Sequence, residues 1–220
     1  MVRGLLLDFY GTVVEDDDAI IEAVGARVAA GASRPVGADR VVEEWTREFA
    51  AVADGTPFRT LRECATRSLA TVMERVGCPG DAARLCAPQF AYWRAPPVRP
   101  GTLEFLAGLD LPVCVVSDVD RDDLDAAIAH HGLSFTAVVT SQEVGAYKPA
   151  AAMFARGLAA LSLDAADVLH VGDSARNDVG GAHAAGIRAV WVNRRGRPPL
   201  AKASYEIADL GGLAAVLRAF

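Results

Sequence analysis

The chain has 220 residues, 52% hydrophobic and 23% charged, a balance that excludes disordered and fibrous classes and fits one sizeable core with an accessory unit. A net charge of -6 leaves no basic stripe for nucleic acid. No stretch reaches the ~18 consecutive apolar residues of a membrane helix, and MVRGLLLDFYGT turns polar too early for a signal peptide, so a cytoplasmic location with no membrane partner is expected. Cys64, Cys78, Cys86 and Cys114 form no CxxC pair and have no histidine at zinc-finger spacing, which predicts buried, reduced thiols.

Short β-branched runs alternate with helical patterns along the chain, predicting an α/β fold with a parallel sheet covered on both faces. Strands are expected at residues 4–9, 113–117, 137–140, 168–171 and 189–193. Between the first two lies a long segment without a strand pattern. Its periodic runs AIIEAVGARVAA, ADRVVEEWTREFAAVA, RTLRECATRSLATVMERV and DAARLCAPQFAYW are separated by the turn clusters GASRPVG, DGTP and GCPG. Residues 16–97 are therefore expected to form a helical insert, with residues 1–15 and 98–220 as the core. The prolines of APPVRPG stiffen the return. EIADLGGLAAVLRAF reads as a last amphipathic helix entered at Gly-Gly, and GRPPLAKASY before it as a loop. His130 and His131, ahead of Gly132, read as the C-terminal end of a helix.

An open α/β sheet places its ligand crevice at the carboxyl ends of its strands, and four polar stretches stand there. DFYGT offers Asp8 as a nucleophile, a turn at Gly11 and the hydroxyl of Thr12. VVSD presents Ser117 and Asp118. Lys148 in GAYKP could neutralise both Asp8 and a bound anion. In HVGDSARNDVGG, Asp173 and Asp178 flank a turn and, with Asp8, would make an oxygen-rich pocket suited to Mg²⁺. Each piece alone has a plainer account, as a cap, a turn or a solvated lysine. Four in order, each directly after a strand, are hard to obtain from capping.

Together these motifs resemble those of the haloacid dehalogenase superfamily of aspartate-nucleophile hydrolases. DFYGT is similar to its first motif, VVSD to its second, the lysine of YKP to its third and GDSARND to its fourth. The resemblance implies a Rossmann-like core with strand order 5-4-1-2-3 and a helical cap. It implies that Asp8 forms a covalent intermediate, that Thr12, Ser117 and Asp118 bind the substrate, and that Lys148 steadies the transferring group. Asp8, Asp173 and the backbone carbonyl of Tyr10 would hold Mg²⁺, supported by Asp178 directly or through water.

Two features of the motifs conflict. Tyr10 stands where the family's phosphatases carry an aspartate that protonates the leaving alcohol. A phenol with an ordinary pKa of about 10 is a poor general base at neutral pH, so halide, acyl phosphate or an acidic phenol would leave more readily than an alkoxide. The family's L-2-haloacid dehalogenases carry a tyrosine at this place. Those enzymes, however, resemble SSNxxD in the fourth motif and use no metal, whereas Asp173 here stands beside Asp8. Two carboxylates without a cation would oppose ionisation of the nucleophile. The expectation is a Mg²⁺-dependent phosphatase of a small phosphorylated metabolite. The alternatives are a metal-independent 2-haloacid dehalogenase and a phospho-ligand binding domain without turnover.

Substrate selection is expected in the insert, with Phe58, Arg59 and Arg62 of TPFRTLR and Trp93 and Arg94 of FAYWRAPP as candidates. The acidic run from Glu15 to Asp18 reads as a solvated hinge. No heptad seam or sticky strand distinguishes a monomer from a homodimer.

Overall fold

The run Leu5, Leu6 and Leu7, wholly buried, occupies the middle of a parallel sheet in a computed structural model that describes residues 1–198 and 203–219. Strand β1 (Gly4–Leu7) is followed by helices α1 (Asp18–Gly31), α2 (Ala38–Ala53), α3 (Leu61–Val76) and α4 (Ala82–Arg94). A short α5 (Thr102–Ala107) leads into β2 (Val113–Ser117), α6 (Arg121–His130), β3 (Ala137–Thr140), α7 (Ser141–Val144) and α8 (Ala151–Leu161). Then come β4 (Val168–Gly172), a π-helical turn (Ala175–Gly180), α9 (Gly181–Ala184), β5 (Arg188–Val192), β6 (Tyr205–Ile207) and α10 (Leu213–Leu217).

The sheet order is β3-β2-β1-β4-β5-β6 and every neighbouring pair is parallel. This is the expected 5-4-1-2-3 order extended by one strand. β1, β2 and β4 are buried at every residue, as strands with helices on both faces must be. Leu6 and Val116 pack with Met153 and Phe154 of α8, and each such fully buried side chain contributes about 1.5–3 kcal/mol.

Three expectations need correction. The first strand ends at Leu7 rather than Phe9: Asp8 still donates to β4, and the tight turn starts at Phe9, whose carbonyl accepts from the Thr12, Val13 and Val14 N–H groups. β6 lies where a loop and the start of a helix were expected, pairing Trp191 with Glu206. The last helix begins after Gly-Gly as expected but spans only Leu213–Leu217, following a 3₁₀ turn in which Asp209 accepts the Gly212 N–H at 3.3 Å. Residues 199–202 of the expected loop lie outside the described residues.

The chain divides into two compact units, one comprising 1–16, 97–118 and 131–220, the other 17–96 and 119–130. In the first unit, the outgoing and returning segments pair antiparallel: Glu15 N–H donates to the Pro97 carbonyl at 2.8 Å and Arg99 N–H to the Val13 carbonyl at 3.1 Å.

In the helical unit, Thr60 and Glu63 form a reciprocal capping box at the start of α3. The Leu61 and Arg62 N–H groups there donate to the Asp120 carboxylate at 2.8 and 3.1 Å. Buried Asp123 of α6 accepts from Arg62 Nε at 2.7 Å and from Arg94 at 3.2 Å, so α6 packs with the inserted helices through ion pairs. In the acidic run, Asp17 accepts from Gln89 and Trp93, Glu15 and Asp16 pair with arginines, and Asp18 is exposed. Among the described residues, no helix is long and apolar enough to cross a membrane.

Candidate active site

Asp8 follows β1 directly, its N–H donating to the Val171 carbonyl of β4 at 2.9 Å, which fixes the carboxylate at the carboxyl end of the sheet. It is 5% exposed. Its two oxygens have different donors, Lys148 Nζ at 2.7 Å on Oδ1 and the Thr12 hydroxyl at 3.0 Å on Oδ2. Thr12, expected on the substrate, thus orients the Asp8 carboxylate. Gly11, at φ +83°, lets the chain turn back, and a Cβ there would lie 2.8 Å from the Asp173 carboxylate. Tyr10 is half-buried, with its ring edge-on to Phe9 at 5.3 Å between centroids.

Lys148 Nζ bridges Asp8 and Asp178, reaching Asp178 Oδ1 at 2.6 Å. Burial alone would lower its pKa, but Asp178, Asp8 and Asp118 outweigh that and keep the ammonium charged. Its backbone N–H donates to Asp118 Oδ1 at 2.8 Å, which makes Asp118 the residue that seats the lysine. Burial pushes the Asp118 carboxyl up to about 7 against the opposing pull of Lys148. Ser117 is 1% exposed at the end of β2.

Asp178 lies in the π-helical turn, a local geometry common at functional sites. Ser174 and Asp178 staple the turn reciprocally: Ser174 N–H donates to Asp178 Oδ2 at 2.9 Å, and the Asp178 N–H to the Ser174 carbonyl at 3.0 Å. Gly172 is obligatory beside it, since a Cβ would collide with the Asp178 carboxylate. His170, outside the four motif positions, is wholly buried on β4 with Nε2 at 2.9 Å from Asp178 Oδ1. A ring nitrogen facing a carboxylate carries the proton, so Nε2 is assigned as the donor. Nδ1 then remains a buried acceptor without a partner among the described residues. The available signal was a histidine inside the otherwise apolar strand VLHVG. With Lys148, His170 outweighs the cost of burial and holds the Asp178 carboxyl well below the usual range.

Asp173 differs. Its backbone carbonyl accepts from Trp191 Nε1 at 2.8 Å, while no donor reaches its carboxylate among the described residues. Burial, and then the charges of Asp8 and Asp178, push it up to about 7. Asp8 is raised for the same leading reason, burial, with Lys148 opposing. Asp8, Asp173 and Asp178 offer oxygens within 4.8 Å of one another, and they could hold a metal ion. The donor set fits a hard divalent cation, for which Asp8 and Asp173 are the better ligands because Asp178 already accepts three hydrogen bonds.

Asp8, Tyr10, Thr12, Ser117, Asp118, Lys148, Asp173 and Asp178 all lie in the first unit. Arg59 and Trp93 belong to the helical unit, where Arg59 Nη1 donates to the Pro57 carbonyl at 3.4 Å and buried Trp93 gives its indole N–H to Asp17 at 2.7 Å. Arg62 and Arg94 are committed to Asp123.

A haloacid dehalogenase-like hydrolase family model matches residues 2–186. The chain is 37% identical over 147 residues to phosphoserine phosphatase of Thermus thermophilus, a match covering 62% of this chain and 58% of that protein. It spans about half the length of the curated relatives it matches. Among solved structures it is similar to the L-2-haloacid dehalogenase from Xanthobacter autotrophicus, with TM-score 0.77 and 22% identity over 99% of both chains. The phosphatase from Thermococcus onnurineus superposes with TM-score 0.67 at 22% identity, over 98% of both chains. At such identities these structures speak for the fold alone.

Proposed function

The chain belongs to the haloacid dehalogenase-like hydrolases, and from that premise we propose that it is a Mg²⁺-dependent phosphatase of a small phosphorylated metabolite, with Asp8 as nucleophile. The observation that carries this reading is Asp173: a carboxylate beside Asp8 and Asp178, drawing no hydrogen bond from the described residues. Such an arrangement is costly unless a cation completes it. A metal-free displacement at carbon has no use for that charge.

In this reading, Asp8 attacks phosphorus through one carboxylate oxygen, forming an aspartyl phosphate as the leaving oxygen departs and takes a proton from solvent; water then attacks that phosphorus, releasing inorganic phosphate and restoring Asp8. Thr12 and Lys148 fix the carboxylate for that attack. The Lys148 ammonium also offsets the charge gathering on the phosphoryl oxygens, with Ser117 at the neighbouring strand end to donate to one of them. Mg²⁺ held by Asp8, Asp173 and the Tyr10 carbonyl would supply further neutralisation of the phosphoryl group. Asp178 and His170 hold Lys148 in place. Selection of the leaving group is assigned to the helical unit, with Arg59 as a candidate contact and Trp93 as a shaping residue. The similarity to phosphoserine phosphatase supports the phosphoryl assignment.

Tyr10 favours a second reading, dehalogenation at carbon, in which the leaving halide needs no proton. The variant Tyr10→Asp separates the two. Under the phosphatase reading, a carboxyl at this place accelerates hydrolysis of alkyl phosphates about a hundredfold. An unchanged or lower rate, with halide release from L-2-chloropropionate intact in the parent, would favour dehalogenation.

A further inference from the structure

Beside Asp173, within the first unit, lies a shallow, solvent-open cleft lined by Gly11, Asp16, Asp173, Arg99, Arg194, Arg195 and Arg197 among others. Its arginine wall is built by local bonding. Asn193 Oδ1 accepts the Arg197 N–H at 2.9 Å, and its Nδ2 donates to the Arg197 carbonyl and to Glu206 of β6, each at 2.8 Å. The loop after β5 is thereby clamped, presenting three arginines on one side.

The plainer account is that these arginines only fasten the chain at residues 15 and 16. It covers Arg194, paired with Glu15 at 3.1 Å, and Arg195, paired with Asp16 at 3.2 Å. It does not cover the other two. Arg99 is 7% exposed, reaches the shared Glu15 only at 3.5 Å, and keeps a buried Nε without a partner among the described residues. Arg197 also lines the cleft, and its exposed side chain makes no ion pair or hydrogen bond to any described residue. The Arg99 Nε itself is closed to solvent, but an anion in the cleft would give the Arg99 and Arg197 guanidiniums a charge partner.

We propose that this cleft is a second anion subsite, which takes a carboxylate or further phosphate on the part of the substrate that is not transferred. This rests on the phosphatase reading for the identity of the substrate, since the cleft shares Gly11 and Asp173 with the nucleophile's surroundings. The substrate class is then a phosphate ester bearing a second anionic group. Recognition of that group falls to the core loop after β5.

The test follows the three indole N–H resonances of ¹⁵N-labelled protein, from Trp45, Trp93 and Trp191, during titration with sulfate at constant ionic strength. The Trp191 indole lies against this cleft, bonded to the Asp173 carbonyl. The expected result is a saturable shift of one indole resonance, which Arg197→Ala abolishes while the other two stay still. A linear drift of all three, or an unchanged titration in Arg197→Ala, overturns the subsite. The substrate assignment is read separately, as kcat/KM for phosphoglycolate divided by that for ethyl phosphate. That ratio falls about tenfold in Arg197→Ala if the cleft binds the carboxylate, and an unchanged ratio overturns the assignment. Absence of turnover on both esters would count against the phosphatase reading, while the sulfate titration still decides whether the subsite exists.

Discussion

Asp8 is held at both oxygens, by Lys148 and by Thr12, so a single side chain replacement separates nucleophilicity from position. Asp8→Asn keeps the shape and an acceptor oxygen but removes the attacking charge. Turnover should fall at least about a thousandfold on any substrate, measured as product release under saturating conditions. Retained activity would remove Asp8 as nucleophile.

Asp118 gives a prediction in stability. Its folded-state pKa is raised by burial to about 7 from an ordinary 3.8. The folded state therefore binds this proton more tightly than the unfolded chain does. Asp118 contributes stability that is fully present below pH 4 and is lost as pH rises through 7. Asp118→Asn keeps the acceptor for the Lys148 N–H without the titrating charge. The midpoint of urea unfolding for Asp118→Asn should gain on the parent between pH 5 and 8, and a gap independent of pH would contradict the burial argument.

Among the elements, legibility followed the strength of the local signal. The four inserted helices and the strands β2 and β3 were readable because periodic apolar faces and β-branched runs are long enough to count. β6 was not, because three residues, Tyr205–Ile207, are too few to show an alternating pattern, and only pairing with β5 makes them a strand. Asp8, Asp118 and Asp173 could be placed because each directly follows a strand, whereas α7 separates Lys148 from β3 and only the fold brings its ammonium to Asp8. His170 was not, because burial hides its role until Asp178 is seen against it. The arginines after β5 were equally silent, since their grouping with Arg99 is made by the fold, 95 positions separating Arg99 from Arg194.

The cysteines test the packing of these elements. Cys64 in α3, Cys86 in α4 and Cys114 in β2 are buried, but Cys78, in the turn after α3, is half-exposed, against the expectation that all four are buried. Burial pushes the Cys86 and Cys114 thiols up to about 12. At pH 8 iodoacetamide should modify Cys78 readily and the other three only after unfolding in urea, as read by mass spectrometry. Rapid modification of Cys86 or Cys114 in the native protein would contradict the packing described.

At the scale of the molecule, a parallel sheet gathers four carboxylates, Asp8, Asp118, Asp173 and Asp178, around one lysine at its carboxyl end. That excess of negative charge is the central feature of the account, and a divalent cation is its simplest complement. Fold likeness reaches both dehalogenases and phosphatases, so the reaction has to be read from this charge and from Tyr10. The deciding measurement is a paired assay of one preparation on para-nitrophenyl phosphate and on L-2-chloropropionate, each with Mg²⁺ and with EDTA. The aryl leaving group needs little protonation and so bypasses Tyr10. Phosphate release that requires Mg²⁺, with no halide release in either condition, is the expected result. Halide release that survives EDTA, without phosphate release, would contradict it.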